Sequence, residues 1–230
     1  MDFAQIGFTV SVWIIPVIIA VTLHEAAHGW VAWRLGDNTA YMMGRVTFNP
    51  VKHVDPFGTL LMPGLMLLLS GGKMMFGYAK PVPVNMRNFH NIRRDMVLVA
   101  AAGPGANIVL AIASALLFYA LPLLPQDVDL WVAHNLANSI RINIILCVFN
   151  LLPLPPLDGG RIAVGLLPAP LAVRLAALER YGFLILIGLI FLLPYVGGQF
   201  GMNLNVLWWL VGIPAEYLID LIIHGVGIAE

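Results

Sequence analysis

The chain has 230 residues, of which 60% are hydrophobic and only 10% charged, against roughly 25% charged in a soluble domain. Its formal net charge is zero, so no basic surface excess points to a nucleic-acid partner. The single cysteine, Cys147, excludes a disulfide framework within one chain.

That balance is the one expected of a polytopic α-helical membrane protein surrounded by a lipid bilayer. About five stretches are apolar over the roughly 20 residues a span needs, near residues 6–35, 96–121, 136–152, 178–193 and 204–223. The first begins without the basic start of a secretory signal and is read as a retained helix, with a kink expected at Pro16. Between residues 39 and 85 the pattern changes. Tyr41, Val46, Thr47 and Phe48, then Tyr78, Val82 and Val84, predict short strands, a small membrane-associated β region in which Pro81 and Pro83 permit only an edge or one-sided pairing. Residues 57–69 are apolar but short and carry Pro63 and Gly64, which predicts a re-entrant segment.

Arg34, Arg45, Lys52, Lys73, Lys80, Arg87, Arg93 and Arg94 all lie between the first and second spans, which places that stretch in the cytoplasm. Asp127 and Asp129 then fall outside, and Arg161, Arg174 and Arg180 inside. The expected organisation is one integral-membrane domain, 1–230, with a core of about 6–161 and accessory helices over about 175–224.

Within the first span lies His24-Glu25-Ala26-Ala27-His28. On a helix, imidazoles at i and i+4 share a face and can hold one divalent ion, with Glu25 beside them to take a proton from a bound water. An ionised side chain deep in a bilayer costs roughly 2.5–3.5 kcal/mol and is rare unless paired, coordinated or wet. His28 stands six residues before Arg34, roughly 9 Å along a helix, so the site is expected within the bilayer towards its cytoplasmic side. A catalytic zinc usually has three protein ligands. Asp158 is the best third candidate: it follows Asn150-Leu151-Leu152-Pro153-Leu154-Pro155-Pro156-Leu157, where prolines end the helix, and Gly159 and Gly160 let the backbone turn.

With both motifs present in order, the sequence resembles the site-2 protease family of intramembrane zinc metalloproteases, whose signatures are His-Glu-x-x-His and a later Asn-x-x-Pro-x-x-x-Leu-Asp-Gly. The likeness runs from about Val21 to Arg161 and includes Asn49-Pro50, Asp55-Pro56, Gly77-Tyr78-Ala79-Lys80-Pro81 and Gly103-Pro104-Gly105-Ala106-Asn107. The resemblance implies one zinc ion held by His24, His28 and Asp158, with Glu25 as general base and proton donor to the leaving amine. It implies regulated intramembrane proteolysis at a multi-pass protein of the cell membrane, acting on a transmembrane-protein substrate. It also places Asn107 near the reacting centre, where its amide would donate to an oxyanion or to substrate backbone; a plain interhelical hydrogen bond is the competing reading of that residue. Asn150 is read as structural or as supporting a ligand, and His53, Asp55, His90, His134 and His224 as bystanders. The chain has room for neither an inserted PDZ domain nor an appended nucleotide-sensing domain. A metal transporter or metal-sensing membrane protein using the same ligands is the alternative from a different class, and would be expected to string polar residues across several spans.

Overall fold

A computed structural model describes residues 3–62, 65, 77 and 79–228. Seven helices carry the architecture: α1 (Phe3–Arg34), α2 (Ile92–Leu117), α3 (Gln126–Asn150), α4 (Asp158–Leu166), α5 (Ala169–Ala177), α6 (Glu179–Gln199) and α7 (Trp208–Val226). Five helical stretches, α1, α2 with its 3-10 continuation to Leu123, Val128–Asn150 of α3, α6 and α7, are long and apolar enough to cross a membrane.

The core is α1, α2 and α3 packed on one another, with α4 and α7 against α2. On α1 the buried positions Val12, Pro16, Ala20, His24, His28 and Ala32 recur every fourth residue. They form one stripe along the helix, while Ile14, Ile15, Ile18 and Ile19 face outward. The two histidines therefore continue a stripe of small residues into the bundle interior, where close backbone approach favours packing in lipid. On α2 the matching stripe is Val99, Gly103, Asn107, Ala111 and Ser114. Further along, Ala111, Ile144, Val148, Val211 and Ala215 knit α2, α3 and α7 together.

The third span begins about a turn or two before the hydropathy pattern places it, at Val128 rather than near residue 136. The added turns are polar but partnered: Trp131 Nε1 donates to Ser11 Oγ on α1 (2.9 Å), and Asn135 Nδ2 to Trp131 O (2.9 Å).

The expected β region is a correction. Among the described residues there is no strand, and Thr39–Met42 is a helical turn. Residues 79–84 run without regular structure and without a ladder, because Pro81 and Pro83 have no N–H to give and the remaining groups are taken elsewhere. Lys80 N donates to His53 O (2.9 Å), and the buried Arg45 Nη2 donates to Lys80 O (2.6 Å). Of the stretch expected to re-enter the membrane, Pro56–Leu61 forms one wide helical turn started by Asp55; most of its remainder, and Tyr78, lie outside the described residues.

Asp37 ties the segment after α1 to the segment before α2. Fully buried, it accepts from Thr39 N (3.1 Å), Thr39 Oγ1 (2.5 Å), Asn85 N (2.7 Å) and Asn88 Nδ2 (2.8 Å). Burial pushes its carboxyl up, but these bonds outweigh that and hold it below its ordinary value. A depressed native value means the stabilisation is present above the ordinary carboxylate range and is lost as pH falls through the native value. Asp37→Asn puts an amide N–H against donors and is expected to destabilise by about 1–3 kcal/mol at pH 7. Unfolding in detergent should show the gap between the two proteins closing as the pH is lowered below about 4.

Candidate metal centre

His24 and His28, one turn apart on α1, meet edge to face with ring centroids 4.7 Å apart, their Nε2 atoms separated by 3.1 Å. Asp158 Oδ2, from the first residue of α4, lies 3.3 Å from each Nε2. All three side chains are buried. Among the described residues this is the one group of three or more His, Cys, Asp or Glu side chains that offers converging ligand atoms.

The opposite side of each ring decides what these atoms present to one another. His24 Nδ1 lies 2.6 Å from Asn107 Oδ1, and His28 Nδ1 lies 2.7 Å from Val99 O. Both partners are acceptors, so each ring carries its proton on Nδ1 and turns an Nε2 lone pair inward. Asp158 Oδ2 is itself buried without a hydrogen-bond partner. Three inward lone pairs form a donor set that could hold a cation, and the separations suit zinc. With ligand bonds of about 2.0–2.1 Å, neighbouring ligands of a tetrahedral ion stand about 3.3 Å apart.

Asp158 reaches this point because the chain doubles back sharply after α3. Leu154 N bonds Leu152 O (2.7 Å) and Leu157 N bonds Leu154 O (2.9 Å). Then Gly159 and Gly160 lie against backbone so closely that a Cβ would stand 2.1 Å from Leu151 O and 2.2 Å from Pro155 N, respectively. Asn150 closes its own helix, donating from Nδ2 to Leu146 O (2.9 Å).

Glu25 is half-buried on the adjacent face of α1 and accepts from Val82 N at Oε2 (2.8 Å). The contact depends on Arg45, which grips the Lys80 carbonyl just upstream. Asn107 is fully buried, with its oxygen on His24 and its nitrogen toward Asn143 Oδ1 (2.8 Å) and Ala20 O (3.4 Å). The amide N–H expected to face substrate is thus directed into the protein. His53 donates through Nε2 to Thr47 O (3.1 Å), and His90 and His224 contact the Leu35 and Asp220 carbonyls; Asp55 caps its turn.

Gly103, read in the sequence only as part of the family motif, lies against the ligands themselves. A Cβ there would lie 2.4 Å from His28 Nε2 and 2.6 Å from His24 Nε2. The available signal was its position four residues before Asn107, on the same face of α2. Gly105 of the same motif faces open space. Gly103→Ala is therefore expected to abolish stoichiometric metal binding while Gly105→Ala leaves it intact, as read by elemental analysis of the purified proteins.

The sequence matches the model of "Peptidase family M50" over residues 12–125 and 125–194. It is 41% identical over 179 residues to "Putative zinc metalloprotease YwhC" of Bacillus subtilis, covering 75% of this chain and 76% of that protein. It is 32% identical to "Putative zinc metalloprotease Rip2" of Mycolicibacterium smegmatis over 174 residues, 75% of this chain and 64% of the relative. The protein of the same name from Mycobacterium tuberculosis is 32% identical over 193 residues, 84% and 70%. No solved structure gives a significant match.

Proposed function

We infer the function from one premise: the chain belongs to peptidase family M50, the site-2 protease family of zinc metalloproteases. The reaction we propose is hydrolysis of a peptide bond in or near a transmembrane segment of a membrane-protein substrate. The observation that carries it is the orphaned Asp158 oxygen facing two imidazole lone pairs inside a bundle of membrane-spanning helices.

In this reading His24, His28 and Asp158 hold one zinc ion, and Glu25 and Asp158 divide the work of the carboxylates. Bound there, zinc would acidify a water molecule and polarise the scissile carbonyl. Two neutral imidazoles and one carboxylate leave the ion a net positive charge, as that chemistry needs. Glu25 takes the proton of the attacking water and returns it to the leaving amine. The Val82 N–H holds one carboxylate oxygen, which fixes the side chain and keeps the other free for the proton. His24 and His28 take no part in proton transfer, because their Nδ1 protons are committed to Asn107 and Val99. Asn107 acts by orienting His24. The basic residues between α1 and α2 support a centre towards the cytoplasmic side of a cell membrane. A substrate helix must unwind to expose the bond, since its own hydrogen bonds otherwise shield it. A transporter would use the same ligands, but the ligand atoms gather at a single point with Glu25 on the adjacent face, which favours the hydrolase.

The discriminating experiment is reconstitution with helix-weakened transmembrane peptides, products being read by mass spectrometry. Glu25→Gln is expected to retain one zinc per chain and to lose at least about a hundredfold in turnover. Asp158→Ala should lose the zinc itself. A Glu25→Gln protein of full activity would overturn the assignment.

A further inference from the structure

The hydrogen-bond chain that begins at His24 does not stop at Asn107. Asn107 Nδ2 donates to Asn143 Oδ1 (2.8 Å), and Asn143 Nδ2 donates to the backbone carbonyl of Ser139 (2.8 Å). Both asparagines are 0% exposed. The path runs from α3 through α2 to α1.

An amide can be turned end for end and an imidazole can carry its proton on either nitrogen, so the inner links are reversible when taken alone. The terminal link is not, because a backbone carbonyl only accepts. Ser139 O requires Asn143 to present Nδ2, leaving Oδ1 for Asn107. Asn107 must then present Nδ2 to Asn143 and Oδ1 to His24, and His24 must carry its proton on Nδ1. We propose that Asn143 is a positioning residue for the metal site, passing the direction set by the Ser139 carbonyl through Asn107 to the ring of His24. This rests on the reading of His24 as a zinc ligand.

The two imidazoles are thus served alike. His28 meets a backbone carbonyl directly, at Val99, whereas His24 meets one through two relayed amides. Every donor in the relay points away from His24, so the aligned dipoles place negative charge at Asn107 Oδ1 and raise the basicity of Nε2. The longer contact from Asn107 Nδ2 to Ala20 O (3.4 Å) supports the same orientation. The Ser114 and Ser139 hydroxyls, 2.7 Å apart, can each donate or accept and set no direction.

The test measures zinc affinity of the full chain in detergent by chelator competition, together with the absorption spectrum of the cobalt-substituted protein. Asn143→Leu leaves Asn107 free to turn its N–H toward His24 and favour the tautomer that cannot ligate, so zinc affinity should fall about tenfold or more, with an altered cobalt spectrum. Adding Asn107→Asp supplies an acceptor that cannot be reversed and should restore most of the lost affinity, which a merely structural role for Asn143 would not allow. Asn143→Ser carries the same comparison if leucine is not accommodated. Asn138→Leu removes another buried amide from the same helix, one bonded to Val12 O, and should leave zinc affinity unchanged. The proposal is overturned if the Asn143 variants bind zinc as tightly as the wild type, if Asn138→Leu loses as much, or if Asn107→Asp restores nothing. Zinc binding indifferent to His24→Ala would instead remove the ligand reading beneath it.

Discussion

Three electron pairs from His24, His28 and Asp158 point at one another across 3.1–3.3 Å in the interior of a helical bundle. With a hydrogen-bond acceptor behind each imidazole, both Nε2 lone pairs are turned toward the Asp158 carboxylate. A bound cation makes the arrangement favourable. The price of leaving it unfilled would fall on the contacts that hold α1, α2 and α4 together, so the packing of the core and the composition of the site form a single problem.

The surrounding chain solves that problem in layers. Small residues along the buried stripe of α1 let α2 approach, and Gly103 brings it close enough to wall the ligand atoms while leaving space for an ion. The tight return after α3 delivers Asp158 from the other end of the sequence. On the adjacent face of α1, Arg45 secures the irregular segment whose Val82 N–H steadies Glu25. Backbone groups that a β ladder would have used bond instead to the His53 carbonyl, Arg45 and Glu25, which is why an irregular segment is stable here.

The two parts of the chemistry that were legible in the sequence are those encoded locally. Histidines at i and i+4 share a face on any helix, and a Pro-rich, Gly-ended turn announces that Asp158 leaves regular structure. The five apolar spans were legible from hydropathy, apart from the polar first turns of α3, whose Trp131 finds a partner only once α1 is beside it. Val46, Thr47 and Phe48 have the residue types of a strand, yet strand propensity depends on a neighbour to pair with, and the facing segment is interrupted by Pro81 and Pro83. For Asn107 the sequence left open a donor to substrate and an interhelical hydrogen bond, and in the structure its Oδ1 meets His24 and its Nδ2 meets Asn143. Its orientation is decided by Asn143 and Ser139, on another helix more than thirty residues away, and no local pattern carries that information.

X-ray absorption at the zinc edge of the purified full chain tests the central claim most directly. The account predicts one zinc per chain with only nitrogen and oxygen neighbours at about 2.0–2.1 Å and the outer-ring scattering of two imidazoles. A sulfur neighbour at about 2.3 Å, which only Cys147 could supply, or a spectrum unchanged by His28→Ala, would contradict it.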